Sequence, residues 1–211
     1  MTQLRTFYLL VATCLSVILL SSCSGSSTPT TVVVYGTVSS GASAPAVAIA
    51  GATVSVYQAQ TGAPKLLIQT TTDGAGNFTA KVPVSTTNTT SNPALYYAVA
   101  TKSSNIQLIA SLGSGPLTAV KINDLTTVAT AYAFAQFLQS DLSIAGSAIP
   151  LSIAAGMAEN LVAAQSGSAS LVIQTSPNAY ETNTWSALGT LANKVGARTQ
   201  GLNNACRSEE H

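Results

Sequence analysis

The chain has 211 residues, and 7% of them carry a charged side chain, against about 25% in an average soluble domain. Eight Lys and Arg residues face seven Asp and Glu, so the net charge is +1 and there is no basic block to neutralise phosphates. These numbers exclude a nucleic-acid-binding protein and a disordered acidic tail. The high content of Ser, Thr and Ala is typical of an exported envelope protein.

The inventory of titratable side chains argues against catalysis. The single histidine is His211, the last residue, so no histidine-based triad or histidine-rich metal site can be assembled inside a fold. The carboxylates are scattered along the chain, at Asp73, Asp124, Asp141, Glu159, Glu181, Glu209 and Glu210. We therefore expect a protein that is not an enzyme and that uses no cofactor and no metal.

Residues 1–22 are predicted to form a signal peptide. Arg5 supplies one positive charge, and the apolar run from Phe7 to Leu20 is too short to cross about 30 Å of hydrocarbon as a helix. The run ends in a branched apolar residue, two small residues and a cysteine, which are Leu20, Ser21, Ser22 and Cys23. This motif resembles the lipobox of bacterial lipoproteins.

The resemblance to lipoproteins implies a lipid anchor on Cys23. In that family the thiol is diacylglyceryl-modified and the chain is cut just before the cysteine, and each buried CH₂ stabilises the anchor by about 0.8 kcal/mol. Because Ser24 rather than Asp follows Cys23, the resemblance also implies the outer membrane, facing the periplasm or the surface. The alternative is an ordinary signal peptide cut at a nearby small-residue site, with Cys23 incidental.

Residues 23–31 are predicted to be a flexible tether, because they are small, polar and interrupted by Pro29. The two other cysteines need separate explanations. Cys14 lies within the apolar run, where a small apolar residue serves, and Cys206 has no intramolecular partner once Cys23 is acylated.

Residues 32–112 read as short strands separated by turns, which predicts a β-sandwich of about seven strands, immunoglobulin-like in general layout. The strand-like segments are Val32–Val38, Ala52–Tyr57, Lys65–Thr72, Asn77–Val82, Leu95–Thr101 and Ile106–Leu112. Between two of them, Asp73 and Asn77 flank two glycines. The side chains of this turn have the oxygen ligands of a calcium loop, but a calcium site needs several carboxylates and this region has one. We therefore expect an ordinary hairpin turn.

Four segments together resemble carboxypeptidase regulatory-like domains: Val34–Val38, Gly51–Val56, Thr72–Phe78 and Tyr97–Ala100. The resemblance implies a transthyretin-like sandwich that serves folding or interaction and has no catalytic residues of its own.

Residues 117–206 are predicted to be a helical region of three helices. Asp124 is expected to cap the first helix, and apolar residues at helical spacing predict two more over Leu151–Gln165 and Thr184–Val195. We expect their apolar faces to pack on one another or on the sandwich. The region is similar to the helical segment that precedes NHL-type β-propellers in exported bacterial proteins.

The leading hypothesis is a non-catalytic interaction or structural module of the envelope, held at the membrane by its lipid. The alternative is a module that binds glycan or peptidoglycan through Tyr57, Tyr96 and Tyr97, with Trp185 as a further ligand contact. An exposed row of these tyrosines would support it, and buried tyrosines would contradict it. A degenerate enzyme would need one pocket to gather two of the four acids Asp124, Asp141, Glu159 and Glu181.

Overall fold

The computed structural model describes residues 30–41, 46–84, 93–103, 106–175 and 183–201. The predicted signal peptide, the lipobox with Cys23, the tether up to residue 29, Glu181 and Cys206 lie outside the described residues. Within the described ranges the protein consists of mostly antiparallel sheets and four helices.

The elements are named here in chain order. The strands are β1 (Thr31–Ser40), β2 (Val47–Ala48), β3 (Thr53–Ala59), β4 (Lys65–Thr71), β5 (Asn77–Pro83), β6 (Leu95–Ser103), β7 (Ile106–Gly113), β8 (Ala119–Ile122), β9 (Val162–Ala163) and β10 (Ser168–Ala169). The helices are α1 (Asp124–Ala133), α2 (Ala148–Leu161), α3 (Leu171–Gln174) and α4 (Thr184–Thr199).

Eight of these strands form two four-stranded sheets. In the first sheet, β1 pairs antiparallel with β2 and β5 and parallel with β8. In the second sheet the order is β4-β3-β6-β7, and every pair is antiparallel. The short strands β9 and β10 form a separate hairpin between α2 and α3.

One hydrophobic core draws side chains from both four-stranded sheets. Val34 and Phe78 from the first sheet share it with Val54, Val56 and Ala98 from the second. Alternation decides which residues enter: along β5 every second side chain is buried, because successive side chains of a strand point to opposite faces.

Gly36 shows how closely the neighbouring side chain approaches the backbone in the first sheet. A Cβ atom at this position would lie 2.2 Å from Cζ of Phe78, its cross-strand partner on β5. Only a residue without a side chain therefore lets the Phe78 ring lie across the backbone of β1.

The second sheet is covered by helices on its other face. Tyr97, Val99 and Ile109 on β6 and β7 contact a cluster that includes Phe134, just after α1, and Leu151 of α2. A sheet covered on both faces is built of nearly continuous apolar strands, and the first six residues of β6 are all buried.

The predicted strands and helices are present, but four local expectations were wrong. Ala119–Ile122 lies in the region expected to be helical, yet it forms β8 because β1 offers it a free edge. Thr31, expected in the tether, pairs with Pro83 as the first residue of β1. The second helix, expected over Leu151–Gln165, spans Ala148–Leu161, because Val162–Ala163 pairs with β10 as the strand β9.

The fourth correction concerns the cap of α1. The N-cap is Asn123, whose side chain accepts a hydrogen bond from the backbone N–H of Thr126, while the Thr126 hydroxyl accepts one from the Asn123 N–H. Asp124 is instead the first helical residue and is fully buried. Among the described helices, none is both long enough and apolar enough to cross a membrane.

Candidate functional site

A cleft of about 540 Å³ lies between the outer face of the second sheet and the 139–145 segment, which connects α1 to α2. Ser55 and Tyr57 are alternate residues of β3, and Tyr97 and Thr101 belong to one alternating set on β6, so all four project on the same side of the sheet. Gln69 of β4 completes this wall, and its amide donates to the Ser55 hydroxyl at 2.9 Å.

The 139–145 segment is held against the sheet by backbone hydrogen bonds. It reverses direction through Gln139, whose N–H donates to the Ser143 carbonyl at 2.8 Å, and Ala145 forms a parallel bridge with Gln60 at the end of β3. Leu142, at the tip, has φ of 65°. This left-handed conformation is uncommon for a residue other than glycine, and such strain is concentrated at functional sites.

Two stacked tyrosines form the floor of the cleft. Tyr57 and Tyr97 are direct cross-strand partners, and their ring centroids lie 5.2 Å apart at an interplanar angle of 17°. Tyr97 is buried, and its hydroxyl accepts a hydrogen bond from the backbone N–H of Ile144 at 3.1 Å. Tyr57 is half-buried, so the pair presents part of one aromatic ring to the cleft.

The cleft contains two titratable groups whose pKa values are shifted. Both shifts move the pKa further away from neutral pH. Burial raises the pKa of Tyr97 to about 12, although the hydrogen bond from Ile144 acts in the opposite direction. Hydrogen bonds from the hydroxyl and the backbone N–H of Ser143 lower the pKa of the exposed Asp141 carboxyl. At neutral pH the cleft therefore contains a neutral phenol and an ionised carboxylate, surrounded by uncharged hydroxyl and amide groups.

The structure separates the three tyrosines through which the glycan alternative would bind. Tyr96 and Tyr97 are each 1% exposed, and Tyr96 faces the core between the sheets because adjacent residues of β6 point to opposite faces. Trp185 lies on α4 and does not line the cleft. The burial of Tyr96 and Tyr97 contradicts glycan binding through a row of three tyrosines, and Tyr57 is the one of the three that remains partly accessible.

Three of the four acids that a degenerate enzyme would need lie in the part of the chain that the structure describes, and they are dispersed. Asp141 is the one of these three that lines the cleft. Asp124 is buried at the start of α1, and Glu159 lies near the end of α2. In the described ranges, no group of three His, Cys, Asp or Glu side chains could hold a metal ion.

The turn at Asp73 is accounted for by its own hydrogen bonds. The carboxylate accepts from the backbone N–H groups of Ala75 and Asn77 at 2.9 and 2.8 Å, and from the Asn77 side-chain amide at 3.2 Å. These bonds, first of all the one from the Asn77 backbone, lower the pKa of Asp73. The arrangement is that of a turn closed by its first residue, and it is not the expected hairpin, because it connects β4 of the second sheet to β5 of the first.

Sequence reasoning missed the cleft because its roof is an irregular segment. The signal present in the sequence is the short polar interruption of Ser140, Asp141 and Ser143 between two apolar stretches. An Asp followed two residues later by a Ser is typical of a turn in which the carboxylate accepts the later backbone N–H, as observed at 2.9 Å. No family model, curated protein or solved structure matches the chain.

Proposed function

We propose that the chain is a non-catalytic interaction module of a bacterial cell envelope, anchored to the membrane by lipid on Cys23. The lipobox-like segment Leu20–Cys23 supports the anchor, together with the apolar run before it. The first described strand begins at Thr31, so few residues separate Cys23 from folded structure.

The fold we propose is a sandwich of the carboxypeptidase regulatory-like, transthyretin-like type, followed by helices similar to those that precede NHL-type propellers. The shared core of the two four-stranded sheets supports a sandwich. The helices would then be a further layer that covers one outer face of the sandwich, and the 139–145 segment between α1 and α2 would form the roof of the cleft.

The chemistry of the cleft is the observation that supports a binding role rather than catalysis. General acid and base catalysis works best when a group titrates near the working pH. Tyr97 has a pKa of about 12 and the pKa of Asp141 is lowered, so neither changes protonation near neutrality. An interaction module needs only fixed hydrogen-bonding groups and shape, which the cleft supplies.

The anchor is tested by the intact mass of the mature protein isolated from a membrane fraction. We expect a chain that begins at Cys23 and carries acyl mass. Cys23→Ser should lose the acyl mass and the membrane association, whereas the control Cys206→Ser should keep both. A soluble, unacylated wild-type chain cut at another position would contradict the proposal.

A second candidate function is the binding of an uncharged glycan in the cleft through Tyr57 alone, since the burial of Tyr96 and Tyr97 contradicts a row of three tyrosines. It is supported by the accessible part of the Tyr57 ring beside the hydroxyls of Ser55 and Thr101 and the amide of Gln69, because sugars combine apolar ring faces with many hydroxyl groups. Calorimetric titration with neutral oligosaccharides would test it, with anionic peptidoglycan fragments for comparison. Tyr57→Ala should abolish binding, and Tyr35→Ala, an exposed tyrosine of the other sheet, should not.

A further inference from the structure

Several large apolar side chains of the helical layer remain in contact with solvent. Tyr132 on α1 is 66% exposed, Ile153 on α2 is 68% exposed and Trp185 on α4 is 44% exposed, and Ile149 on α2 is also exposed. Between Tyr132 and Ile153 lies a groove of about 420 Å³ whose lining is apolar apart from Gln136. Monomeric proteins rarely leave such a surface without a function.

The packing of the helices places these side chains at one end of the layer. Pro150 and Ile153 line the groove together with Tyr132, so the beginning of α2 lies beside the end of α1. At the other end of α1, a Cβ on Gly196 would lie 2.9 Å from the Asp124 carboxylate. The two helices also share a cluster whose α4 members, Leu188 and Ala192, precede Gly196 and whose α1 members follow Asp124, so α4 runs back along α1 in the antiparallel sense. The first turn of α4, with Trp185, therefore lies away from Asp124, toward the Tyr132 end.

The same end of the helical layer faces the beginning of β1. Thr127 and then Thr130 of α1 accept hydrogen bonds from Ile109 and Ser111, so α1 runs in the direction of β7. Residues 114–118 connect the end of β7 to Ala119, the first residue of β8.

The start of β8 can be placed on β1 by its register. Ala119 lies opposite Tyr35 and Ile122 lies opposite Val38 in a parallel pair. The start of β8, and with it the end of α1, is therefore displaced toward Thr31, where the chain enters the fold.

We propose that the apolar end, defined as Tyr132, Ile149, Ile153 and Trp185, rests on the lipid surface to which Cys23 anchors the chain. This inference rests on the proposed lipid anchor. The eight residue steps from Cys23 to Thr31 span at most ~29 Å when fully extended, so the start of β1 stays within about that distance of the lipid. The apolar end lies on the side of the fold nearest to this entry point.

The chemistry of the surface favours lipid over a charged partner. Between residues 125 and 158 the single charged side chain is Asp141, which belongs to the cleft. Tyr and Trp are enriched at the boundary between hydrocarbon and water, where an apolar ring with one polar group is stable. Because no basic residue is part of the apolar end, its contact with lipid should not require anionic headgroups.

Trp185, the only tryptophan of the chain, allows a direct test. The native acylated protein is reconstituted into phosphatidylcholine vesicles whose acyl chains are brominated, and into matched vesicles without bromine. We expect about a twofold loss of Trp185 emission in the brominated vesicles, because bromine quenches tryptophan at the depth of the membrane interface. Replacing part of the phosphatidylcholine with phosphatidylglycerol should leave the quenching unchanged.

Two variants make the test specific. The double variant Tyr132→Ser, Ile153→Ser should lose most of the quenching while its acyl mass and membrane association stay the same. Val47→Ser, which removes an exposed apolar side chain from β2, opposite Ser40 at the end of β1 far from Thr31, should be quenched like the wild type.

The outcomes separate this inference from the proposed function. An acylated protein whose Trp185 is not quenched by bromolipid overturns the membrane contact and leaves the anchor intact. An unacylated wild type contradicts the proposed lipid anchor. In that case the Cys23→Ser chain is tested for binding to vesicles, and a failure to bind overturns the membrane contact. A requirement for anionic lipid, or a dimer that protects Trp185 from iodide without vesicles, also overturns it.

Discussion

The carboxylate of Asp124 accepts a hydrogen bond from the backbone N–H of Gly41 at 2.5 Å, which joins the first residue of α1 to the end of β1. The Ser40 hydroxyl donates to the same carboxylate at 3.3 Å. Gly196 of α4 approaches it from a third side and has no room for a side chain there. This buried group therefore connects the first sheet with two helices of the helical layer.

The first prediction concerns the protonation of Asp124. Burial raises its pKa above the ordinary value of 3.8, although the bonds from Gly41 and Ser40 act in the opposite direction. The folded chain thus holds this proton more firmly than the unfolded chain. The resulting stability is fully present below the unfolded pKa and is lost as the pH rises through the folded-state pKa. The free energy of unfolding of Asp124→Asn, relative to that of the wild type, should therefore increase from pH 4 to pH 7.

Urea unfolding of both proteins at pH 4 and pH 7 measures this difference. The contributions of exposed acids such as Asp73 and Asp141 to the pH dependence cancel, because both proteins contain them. Asp124→Ala, which removes the acceptor of the Gly41 N–H, should cost about 1–3 kcal/mol of unfolding free energy. A difference between Asn variant and wild type that is the same at both pH values would disprove the raised pKa.

The second prediction concerns the edge of the second sheet. β7 is an edge strand, and the backbone N–H of Ser111 donates to the hydroxyl of Thr130 on α1 at 3.0 Å. Thr130→Val keeps the shape but leaves a buried N–H without its acceptor, which should cost about 1–3 kcal/mol of unfolding free energy. Chemical denaturation gives the loss, and the amide of Ser111 should exchange faster with solvent.

Thr190→Val is the matched control, because the Thr190 hydroxyl is on an exposed turn of α4 and bonds only within its helix. Its effect should be within about 0.5 kcal/mol. Equal losses for the two variants would mean that the edge bond contributes nothing specific.

The third prediction concerns Gly36 and Phe78. Gly36→Ala would place a Cβ 2.2 Å from the Phe78 ring, and the overpacking should cost about 1–3 kcal/mol of unfolding free energy. In the background of Phe78→Leu the same change should cost less, because the ring that it meets is gone. A double-mutant cycle by urea unfolding measures the coupling.

Gly62→Ala serves as the control, since a Cβ there meets nothing within 4 Å. Additive effects of Gly36→Ala and Phe78→Leu would show that the ring can move away from β1 at no cost.

The fourth prediction concerns the roof of the cleft. Tyr97→Phe removes the hydroxyl that accepts from the Ile144 N–H at 3.1 Å and should loosen the 139–145 segment. We expect faster exchange of the Ile144 amide and a loss of about 1–3 kcal/mol in unfolding free energy. Tyr35→Phe, at an exposed position of β1, should change neither. Unchanged protection of Ile144 would mean that the other backbone bonds hold the segment.

The sequence by itself determined the elements whose signals are local. Alternation over Asn77–Val82 and the short apolar run Leu95–Thr101 predicted strands that became β5 and β6, and apolar residues at helical spacing predicted α1, α2 and α4. Alternation also dictates that Tyr96 and Tyr97 face opposite sides of β6. These features depend on residues that are neighbours in the chain, so the sequence pattern contains them.

Only the tertiary structure decided what covers each face and edge. Four residues at Ala119–Ile122 become a strand because β1, far away in the chain, has an edge to pair with. Both tyrosines of β6 are buried because one face meets the other sheet and the opposite face meets the helices. Likewise, Asp124 is a buried junction rather than a helix cap because Gly41 and Gly196 converge on it. Burial and pairing depend on residues that are distant in the chain, and local periodicity carries no information about them.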